Sequence, residues 1–598
     1  MTTMRKIIRS FKQLWRLAAP YWLYSEERLG SWLLLIADVL LMVVSVIALI
    51  RINAWYSDWT NAYVNVDRPL WNQQLVVFAL FATVATVSGG LRMYLDQWIA
   101  IRWRRWMSSR FIDNWMTDFN HYRMQFTGSK IDNPDQRIAE DINRFLEFTW
   151  RYTFQLLQNL LTLGSFIVIL WNLSATIPMI LFGRDWSFPG YFIVIAFIWA
   201  VIGTWGAHFV GKSLIGITYD QTRYEADFRF SLVQIRENSE QISLLGGEEV
   251  EHTRVMEIFN NVIANTFRMA MRRMKLQFIT LGFSFADGVV ISILLGPAYF
   301  MGAIPGGYGS IMQIANAFQQ VLITFKFFQT IYADLAVWKA VINRLVGFLD
   351  SHEEAEKITK ASNIVINEHD EDNVSIPTMD IFLPSGELQA IVRDLQFNRG
   401  EKILIKGKTG AGKTTLFRVL TGIWPFGNGK VLTPKDKKVI VLPQKPYLPI
   451  GTLAEVISYP EPPDKYSREE MEQVLRDVGL EQFVDRLDEE AHWYRVLSGG
   501  EQQRVGIARA MLYKPDYLFF DEATASMDED SEEVLYNMLL ERMKDTTIVS
   551  IGHRSSLEKF HKRLVVAQER PEGNFEFVDV TKTWRPPGGS DTVQAQEA

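Results

Sequence analysis

The chain has 598 residues, which is too long for a single hydrophobic core, so several domains are expected. Its 62 basic and 68 acidic residues give a formal net charge of −6, which gives no indication of nucleic-acid binding. The sequence contains no cysteine, and this excludes disulfides, thiolate metal sites and thiol nucleophiles.

The first residues of the chain are basic. Residues 1–16 lack the apolar core and the small-residue cleavage site of a signal peptide. We therefore predict that residues 1–28 form a cytoplasmic or interfacial helix.

Six apolar segments follow, each long enough to cross a bilayer, which takes roughly 20 helical residues. Tryptophan and tyrosine cluster at their ends, as expected at membrane interfaces. Six such segments disfavour the alternative, which is buried core helices of a large soluble protein. We predict an all-α transmembrane domain over 29–345 with six helices, at 31–52, 74–94, 153–173, 190–210, 278–304 and 311–335.

Basic residues set the predicted orientation of these helices. They are concentrated before the first segment and after the second, whereas the loops after the first, third and fifth carry only Arg68 and Arg184. The positive-inside rule then places both termini of a multi-pass membrane protein in the cytoplasm. The basic residues concerned are Arg5, Lys6, Arg9, Lys12, Arg16, Arg102, Arg104, Arg105 and Arg110.

Two connections on the predicted cytoplasmic side, 95–152 and 211–277, are long, polar and helix-patterned. The loops on the opposite side are short. Helices two to five are therefore expected to extend into the cytoplasm, where they would contact a cytoplasmic domain.

Four ionisable residues lie inside the predicted spans: Asp38, Arg92, Asp287 and Lys326. Charge inside a bilayer is costly and usually faces a partner or a water-filled cavity. These residues either line a polar substrate path or pair between helices, and the sequence leaves both readings open.

The chain becomes polar and charged over 346–373, which we predict to be a linker. Strand-like alternation begins near Val374. We predict an α/β nucleotide-binding domain over 374–580 and a flexible C-terminal tail over 581–598.

A complete phosphate-binding loop lies early in this second domain, between a predicted strand and a predicted helix. Its glycines let backbone N–H groups close around phosphates, and the following helix adds a favourable dipole. Lys413 is expected to reach the β- and γ-phosphates of ATP, and the Thr414 hydroxyl is placed to bind Mg²⁺. The loop consists of Gly407, Lys408, Thr409, Gly410, Ala411, Gly412, Lys413, Thr414 and Thr415.

Two further motifs follow the loop. Gln444 comes directly after an apolar strand, where its amide can bind the metal or water and sense the γ-phosphate. Ser498, Gly499 and Gly500 open a predicted helix and form another N-terminal anion site. A glycine-containing helix cap is the plainer reading of these three residues, but it would not need the Glu-Gln-Gln-Arg that follows.

A buried strand then ends in two acids. Asp521 can bind Mg²⁺, directly or through water, and Glu522 is placed to polarise an attacking water. Asp528 lies six residues further on in a predicted turn, and His553 ends another β-branched strand, where it is expected to contact the γ-phosphate.

In this order the motifs resemble those of the ATP-binding cassette superfamily, over about residues 374–570. In that family two cassettes enclose two ATP molecules, each between the phosphate loop of one cassette and the Leu-Ser-Gly-Gly signature of the other. The resemblance therefore implies a half-transporter that binds ATP and Mg²⁺ and dimerises with a second copy of itself. Family spacing places the adenine-stacking aromatic at Phe382. The usual Ser-Ala-Leu-Asp reads Ala-Ser-Met-Asp here and keeps Asp528.

Motifs outside the phosphate loop narrow the resemblance. The segments 133–141 and 236–248 are similar to stretches in SbmA/BacA-like bacterial transporters and in the peroxisomal fatty-acyl and cobalamin ABC transporters. Gly-Ile-Trp-Pro at 422–425 agrees with this subfamily. The implied fold is that of exporter-type ABC proteins, a helical transmembrane domain followed by an α/β phosphate-loop domain.

The expected activity is ATP hydrolysis that drives alternating access in the lipid bilayer. The expected cargo is a hydrophilic or amphipathic solute, such as a peptide or cobalamin. Residues 110–145 and 225–250 are hypothesised to transmit cassette closure to the membrane. Two alternatives stay open: a proton-driven peptide carrier with a regulatory cassette, and an acyl-CoA or lipid exporter. A third, a soluble cassette protein without transport activity, is disfavoured by the six apolar segments.

Overall fold

We describe a computed structural model of the protein, which covers residues 2–128, 133–181 and 184–584. The chain divides into two compact units. The first comprises Met1–Asp113 and Asn133–Leu349, and the second comprises Asn114–Asp132 and Asp350–Ala598. Most of the tail predicted at 581–598 lies outside the described residues.

Long helices build the first unit, with one short hairpin between them. Five helices in the described residues are long and apolar enough to cross a membrane. The sixth predicted segment, 311–335, lies within the helix Gly307–Ala361, several of whose side chains lie outside the description. The elements of the first unit are α1 (Thr2–Tyr24), α2 (Arg28–Val64), α3 (Arg68–Met116), α5 (Pro134–Gln136), α6 (Ile142–Thr176), β1 (Ile180–Leu181), β2 (Arg184–Asp185), α7 (Tyr191–Glu237), α8 (Ser239–Leu244), α9 (Glu248–Phe300) and α10 (Gly307–Ala361). Helix α4 (Asn120–Arg123), between α3 and α5 in the sequence, belongs to the second unit.

The four predicted intramembrane charges form two ion pairs. Asp38 on α2, whose side chain is fully buried, accepts a 3.3 Å bond from Arg92 Nε on α3. Lys326 Nζ on α10 lies 2.9 Å from Asp287 Oδ2 on α9. Each pair links two helices. Pairing also avoids leaving a charge without a partner inside a bilayer, which would be costly.

The second unit is an α/β domain. Within the described residues, ten of its strands form one sheet, in the order β3-β7-β4-β5-β14-β13-β6-β12-β11-β8. Its elements are β3 (Asn363–His369), β4 (Asn373–Phe382), β5 (Leu388–Asn398), β6 (Lys402–Gly407), α11 (Lys413–Leu420), β7 (Gly427–Pro434), β8 (Val439–Leu442), β9 (Gly451–Thr452), α12 (Leu453–Ser458), α13 (Arg468–Asp477), β10 (Glu490–Ala491), α14 (Trp493–Val496), α15 (Gly499–Tyr513), β11 (Tyr517–Asp521), α16 (Glu529–Arg542), β12 (Thr547–Ile551), β13 (Arg563–Glu569) and β14 (Phe575–Asp579).

Short helical turns connect these elements. Five of them are 3₁₀ turns and one is a π-helical turn. The 3₁₀ turns are Thr117–Phe119, Met124–Phe126, Pro463–Lys465, Glu481–Arg486 and Ser555–Phe560, and the π turn is Arg137–Asp141.

Strands β13, β6, β12, β11 and β8 run parallel to one another. A central parallel strand that is buried on both faces reads as a continuous apolar run, as β11 does before its final residue Asp521. Helix α11 packs on this part of the sheet, where the rings of Phe417 and Phe519 meet edge-to-face at 5.1 Å. The carboxyl ends of these strands therefore share one edge, which is where ligands bind in open α/β sheets.

The range predicted as a linker contains regular structure. Helix α10 continues through Ala361, and β3 then pairs in parallel with β7. Its Glu- and Lys-rich sequence carries i,i+4 pairs such as Glu356 with Lys360, which favour a helix.

Part of the first cytoplasmic connection belongs to the second unit. The Arg123 guanidinium donates to Gly422 O at 2.6 Å and to Thr359 Oγ1 at 3.0 Å. Phe126 packs edge-on against Trp424 at 5.3 Å. Buried hydrogen bonds to a charged group and aromatic contacts thus hold this segment on the α/β domain.

Candidate active site

The phosphate loop connects β6 to α11. Gly410 and Gly412 have φ values of 85° and 81°, in the left-handed region that favours glycine. A Cβ on Gly412 would lie 3.2 Å from Ala390 Cβ, so this glycine also allows a close approach of β5. Glycine thus occupies both of these left-handed positions of the loop.

Lys413 lies at the start of α11, where Gly412 is the N-cap. Its Nζ donates to Gly407 O at 2.8 Å and to Lys408 O at 3.0 Å, across the loop. Burial lowers the pKa of its ammonium group. Thr409, Ala411 and Thr415 complete the nine-residue loop.

Thr414 and Asp521 meet at the same edge of the sheet. Thr414 Oγ1 donates to Asp521 Oδ1 at 2.8 Å. Asp521 is the last residue of β11, and burial raises the pKa of its carboxyl group. A hydroxyl and a carboxylate side by side are hard oxygen donors of the kind that Mg²⁺ prefers.

The next residue, Glu522, contacts two other predicted site residues. Gln444 Nε2 donates to Glu522 Oε2 at 3.0 Å, and His553 Nε2 lies 3.4 Å from Glu522 Oε1. His553 Nε2 also lies 3.3 Å from Lys413 Nζ. Side chains that follow β6, β8, β11 and β12 therefore form one continuous contact chain.

The signature residues begin α15. Ser498 is the N-cap, and its hydroxyl and the Glu501 carboxylate form a reciprocal capping box. Gly499 and Gly500 form the first turn, and a Cβ on Gly499 would lie 3.7 Å from Ser526 Cβ. The two glycines leave the backbone N–H groups of this turn accessible to an anion.

Asp528 and Phe382 lie at element ends. Asp528 caps α16 by accepting from Ser531 N at 2.8 Å, and this backbone bond lowers the pKa of its carboxyl group. Phe382 ends β4, where its carbonyl accepts from Trp424 Nε1 at 3.1 Å. Its half-buried ring stays a prediction as the adenine platform.

Two glutamines that the sequence did not single out also contact the site. Gln389 Nε2 donates to Gly410 O at 3.2 Å. Gln503, which is almost fully buried, donates from Nε2 to Gln444 O at 3.1 Å. Gln503 belongs to the Glu-Gln-Gln-Arg run, which did signal its importance, whereas Gln389 carries no motif.

Comparison with protein-family models assigns both halves of the chain. Residues 22–300 match the ABC transporter transmembrane region 2, and residues 392–525 match the ABC transporter model. An ABC transporter ATP-binding protein of Haemophilus influenzae is 31% identical over 94% of this chain and 92% of its own length. The YddA inner membrane ABC transporter ATP-binding protein of Escherichia coli is 30% identical, over 92% of this chain and 96% of its own length.

A mammalian protein and a solved structure are also similar to this chain. The lysosomal cobalamin transporter ABCD4 of mouse is 29% identical over 77% of this chain and 79% of its own length. A bacterial Atm1-family ABC exporter with ATP bound superimposes with a TM-score of 0.65 at 17% identity, and 91% of this chain and 94% of that one are covered. The structural match confirms the predicted exporter-type fold.

The predicted family, fold and ATPase class are confirmed together. The cassette binds ATP and hydrolyses it in a reaction coupled to transport, and the helical unit spans the membrane several times. Sequence, fold and site geometry agree that this chain belongs to the ATP-binding cassette transporter family, with its membrane and ATP-binding domains in one polypeptide.

Proposed function

We propose that two copies of this chain form an ATP-driven transporter of a hydrophilic or amphipathic solute. Each ATP would lie between the phosphate loop of one copy and Ser498, Gly499 and Gly500 of the other. The observation that carries the proposal is the contact chain from Lys413 through His553 and Glu522 to Gln444. The apolar tip after α8, where Leu244 and Leu245 are 79% and 86% exposed, supports contact with a second copy.

Each residue of the contact chain has a distinct proposed role. Lys413 offsets phosphate charge, and Glu522 orients and polarises the attacking water. His553 and Gln444 contact the γ-phosphate and so report whether ATP is intact. Hydrolysis would break these contacts and allow the two cassettes to separate.

The oxygen donors at this edge fit Mg²⁺. Thr414 Oγ1, Asp521 Oδ1 and the Gln444 amide oxygen would hold the ion. When bound, Mg²⁺ neutralises charge that develops on the phosphate oxygens. The strand ends of β8 and β11 position Gln444 and Asp521, and the first turn of α11 positions Thr414.

Transport requires that cassette closure reaches the membrane. The segment around Arg123 is fixed to the α/β domain, and its chain continues directly into α3. We propose that residues 110–145 transmit closure in this way, and that residues 225–250 do so through the second copy.

The names of two relatives and the distribution of basic residues support a proposed location and cargo. The name of the Escherichia coli relative supports the inner membrane, and the positive-inside rule supports cytoplasmic termini. The name of the mouse relative supports cobalamin as one candidate cargo, and a peptide is another.

Purified protein in liposomes should show ATPase activity that rises when the transported cargo is added, tested with cobalamin and a peptide panel. Absence of both ATP-dependent uptake and ATP-dependent efflux for every cargo would contradict the proposal.

A second candidate is a proton-driven carrier with a regulatory cassette. The pairs Asp38–Arg92 and Asp287–Lys326 favour it, because intramembrane carboxylates can carry protons. Liposomes with a pH gradient and no ATP separate the two candidates, since only the carrier would transport. An acyl-CoA or lipid exporter would instead show ATPase stimulation by those compounds.

A further inference from the structure

The segment between Glu522 and Asp528 is held by side chains from three other parts of the domain: α15, the loop after β12, and α16. Glu522 has a φ of 52°, in the left-handed region, although it is not glycine. Such a conformation is unfavourable and persists only where the surroundings over-determine it. The residues that fix the following segment therefore decide where the Glu522 carboxylate lies.

Gln503 from α15 provides the first contact. Its Oε1 accepts from Ser526 N at 2.9 Å, while its Nε2 donates to Gln444 O at 3.1 Å. One buried amide thus joins the backbone of the Gln444 loop to the backbone that follows Glu522.

Arg554, the residue after His553, provides the second contact. Its guanidinium donates to Met527 O at 2.7 Å and to Ala525 O at 3.1 Å. The loop that carries His553 is therefore bonded to both sides of Ser526.

Glu532 on α16 provides the third contact and is only 1% exposed. Its Oε1 accepts from Thr524 Oγ1 at 2.6 Å, and its Oε2 accepts from Ser556 Oγ at 2.9 Å. Arg554 Nη1 lies 3.7 Å from the same Oε2 and helps to balance the buried charge.

Together these contacts engage all four residues of 524–527. We propose that Gln503, Arg554 and Glu532 form a clamp of positioning residues that holds Glu522 in its left-handed conformation and keeps its carboxylate between Gln444 and His553. The clamp acts on the hydrolysis step and leaves ATP binding to the phosphate loop. The inference rests on the proposed role of Glu522.

The test uses full-length protein in lipid nanodiscs, with kcat and KM for ATP and the unfolding temperature measured for each variant. Gln503→Ala and Glu532→Ala should each lower kcat at least about tenfold and change KM less than about threefold, because Lys413 and its loop are untouched. Glu532→Gln keeps the shape and most hydrogen bonds and should restore at least about a third of the wild-type kcat.

A matched control lies in the same domain. Thr546→Val removes a buried hydrogen bond, from Thr546 Oγ1 to Pro515 O at 2.9 Å, that does not involve the segment, so kcat should change less than twofold while the unfolding temperature falls. If Glu532→Ala does not fold, Ser556→Ala and Thr524→Val each remove one bond to Glu532 and should lower kcat without a matching rise in KM.

Three results would overturn the clamp: kcat within twofold of wild type in both alanine variants, KM rising in proportion to any loss, or Thr546→Val losing as much kcat as they do. The variant Glu522→Gln separates the clamp from the proposed function. If Glu522→Gln alone retains wild-type ATPase activity, the role of Glu522 is wrong. If Glu522→Gln is nearly inactive, the double variant Glu522→Gln with Gln503→Ala should show the same residual ATPase rate. A further large loss of rate in the double variant would contradict the clamp.

Discussion

Thr414 Oγ1 donates a 2.8 Å hydrogen bond to Asp521 Oδ1, joining the end of the phosphate loop to the end of β11. These two side chains lie 107 positions apart in the sequence. They meet because β6 and β11 both flank β12 in the parallel part of the sheet, so their carboxyl ends share one edge. This pair of oxygen donors is therefore the part of the site on which the proposed Mg²⁺ binding rests most directly.

Replacing Asp521 with asparagine removes the charge and keeps the shape. We expect the Mg²⁺ concentration for half-maximal ATPase activity to rise at least about tenfold, because a neutral amide binds a hard cation weakly. A Mg²⁺ titration of the ATPase rate measures this. Thr421→Val, at the other end of α11, is the control and should leave the titration unchanged; an unshifted curve for Asp521→Asn would contradict the assignment.

Glu522→Gln should abolish turnover and leave ATP bound. The amide cannot polarise water as the carboxylate does, and loss of such a group costs roughly 10²–10⁴-fold in rate. ATP retention after gel filtration and the steady-state rate are the measurements. Sustained ATP-driven transport by this variant would refute the proposed mechanism.

Most of the nucleotide site could be predicted from the sequence, because strand, loop and helix are local and motif spacing is preserved. Thr414 and Asp521 were each predicted from their own motif as Mg²⁺ ligands, and the shared edge of the parallel strands explains why the two side chains meet. The contacts of Gln503 and Glu532 could not be predicted, since buried polar contacts depend on tertiary packing. The same holds for Arg123, which bonds to a carbonyl 299 positions away.

The helical unit shows a similar division. Hydropathy predicted where apolar segments lie, because the bilayer sets their length. The pairing of Asp38 with Arg92, and of Asp287 with Lys326, required the helix arrangement that only the structure supplies.

Arg123→Ala should uncouple hydrolysis from transport. The side chain is 7% exposed and bonds to Gly422 O, so its loss frees the connection from the α/β domain. We expect transport to fall at least about fivefold more than ATPase activity, because the variant leaves the nucleotide contacts intact. Parallel ATPase and transport assays test this, and Arg399→Ala, at an exposed arginine of the α/β domain outside residues 110–145, is the control. Equal losses in both assays would argue against coupling through Arg123.

The Asp287–Lys326 pair allows a charge-swap test. Trp199 Nε1 also donates to Asp287 Oδ1 at 2.7 Å, so this carboxylate joins three helices. Asp287→Ala should destabilise the protein by up to about 3–5 kcal/mol, because it leaves the Lys326 ammonium group, which is 26% exposed, without its carboxylate partner. The double variant Asp287→Lys with Lys326→Asp should recover part of that loss. Unfolding in detergent measures both, and a swap no more stable than the single variant would show that pairing is not what matters.

His561 gives the α/β domain a defined pH dependence. Its Nδ1 lies 2.7 Å from Leu557 O, a carbonyl that can only accept, so Nδ1 carries the proton. Its Nε2 therefore accepts from Ser550 Oγ at 2.9 Å. Burial lowers the pKa of His561 from 6.5 to about 4, so the folded protein holds this ring neutral.

Stability should fall as the pH decreases from 6.5 towards 4. In this window the unfolded chain binds a proton at His561 and the folded chain does not, so protonation favours unfolding by roughly 1.4 kcal/mol per pH unit. Above pH 6.5 the contribution is fully present. His561→Gln should flatten the dependence of the unfolding temperature on pH, whereas His492→Gln, at an exposed position, should keep it. An unchanged slope in His561→Gln would show that other groups titrate in this window, because the buried ring would then bind its proton at the same pH in both states.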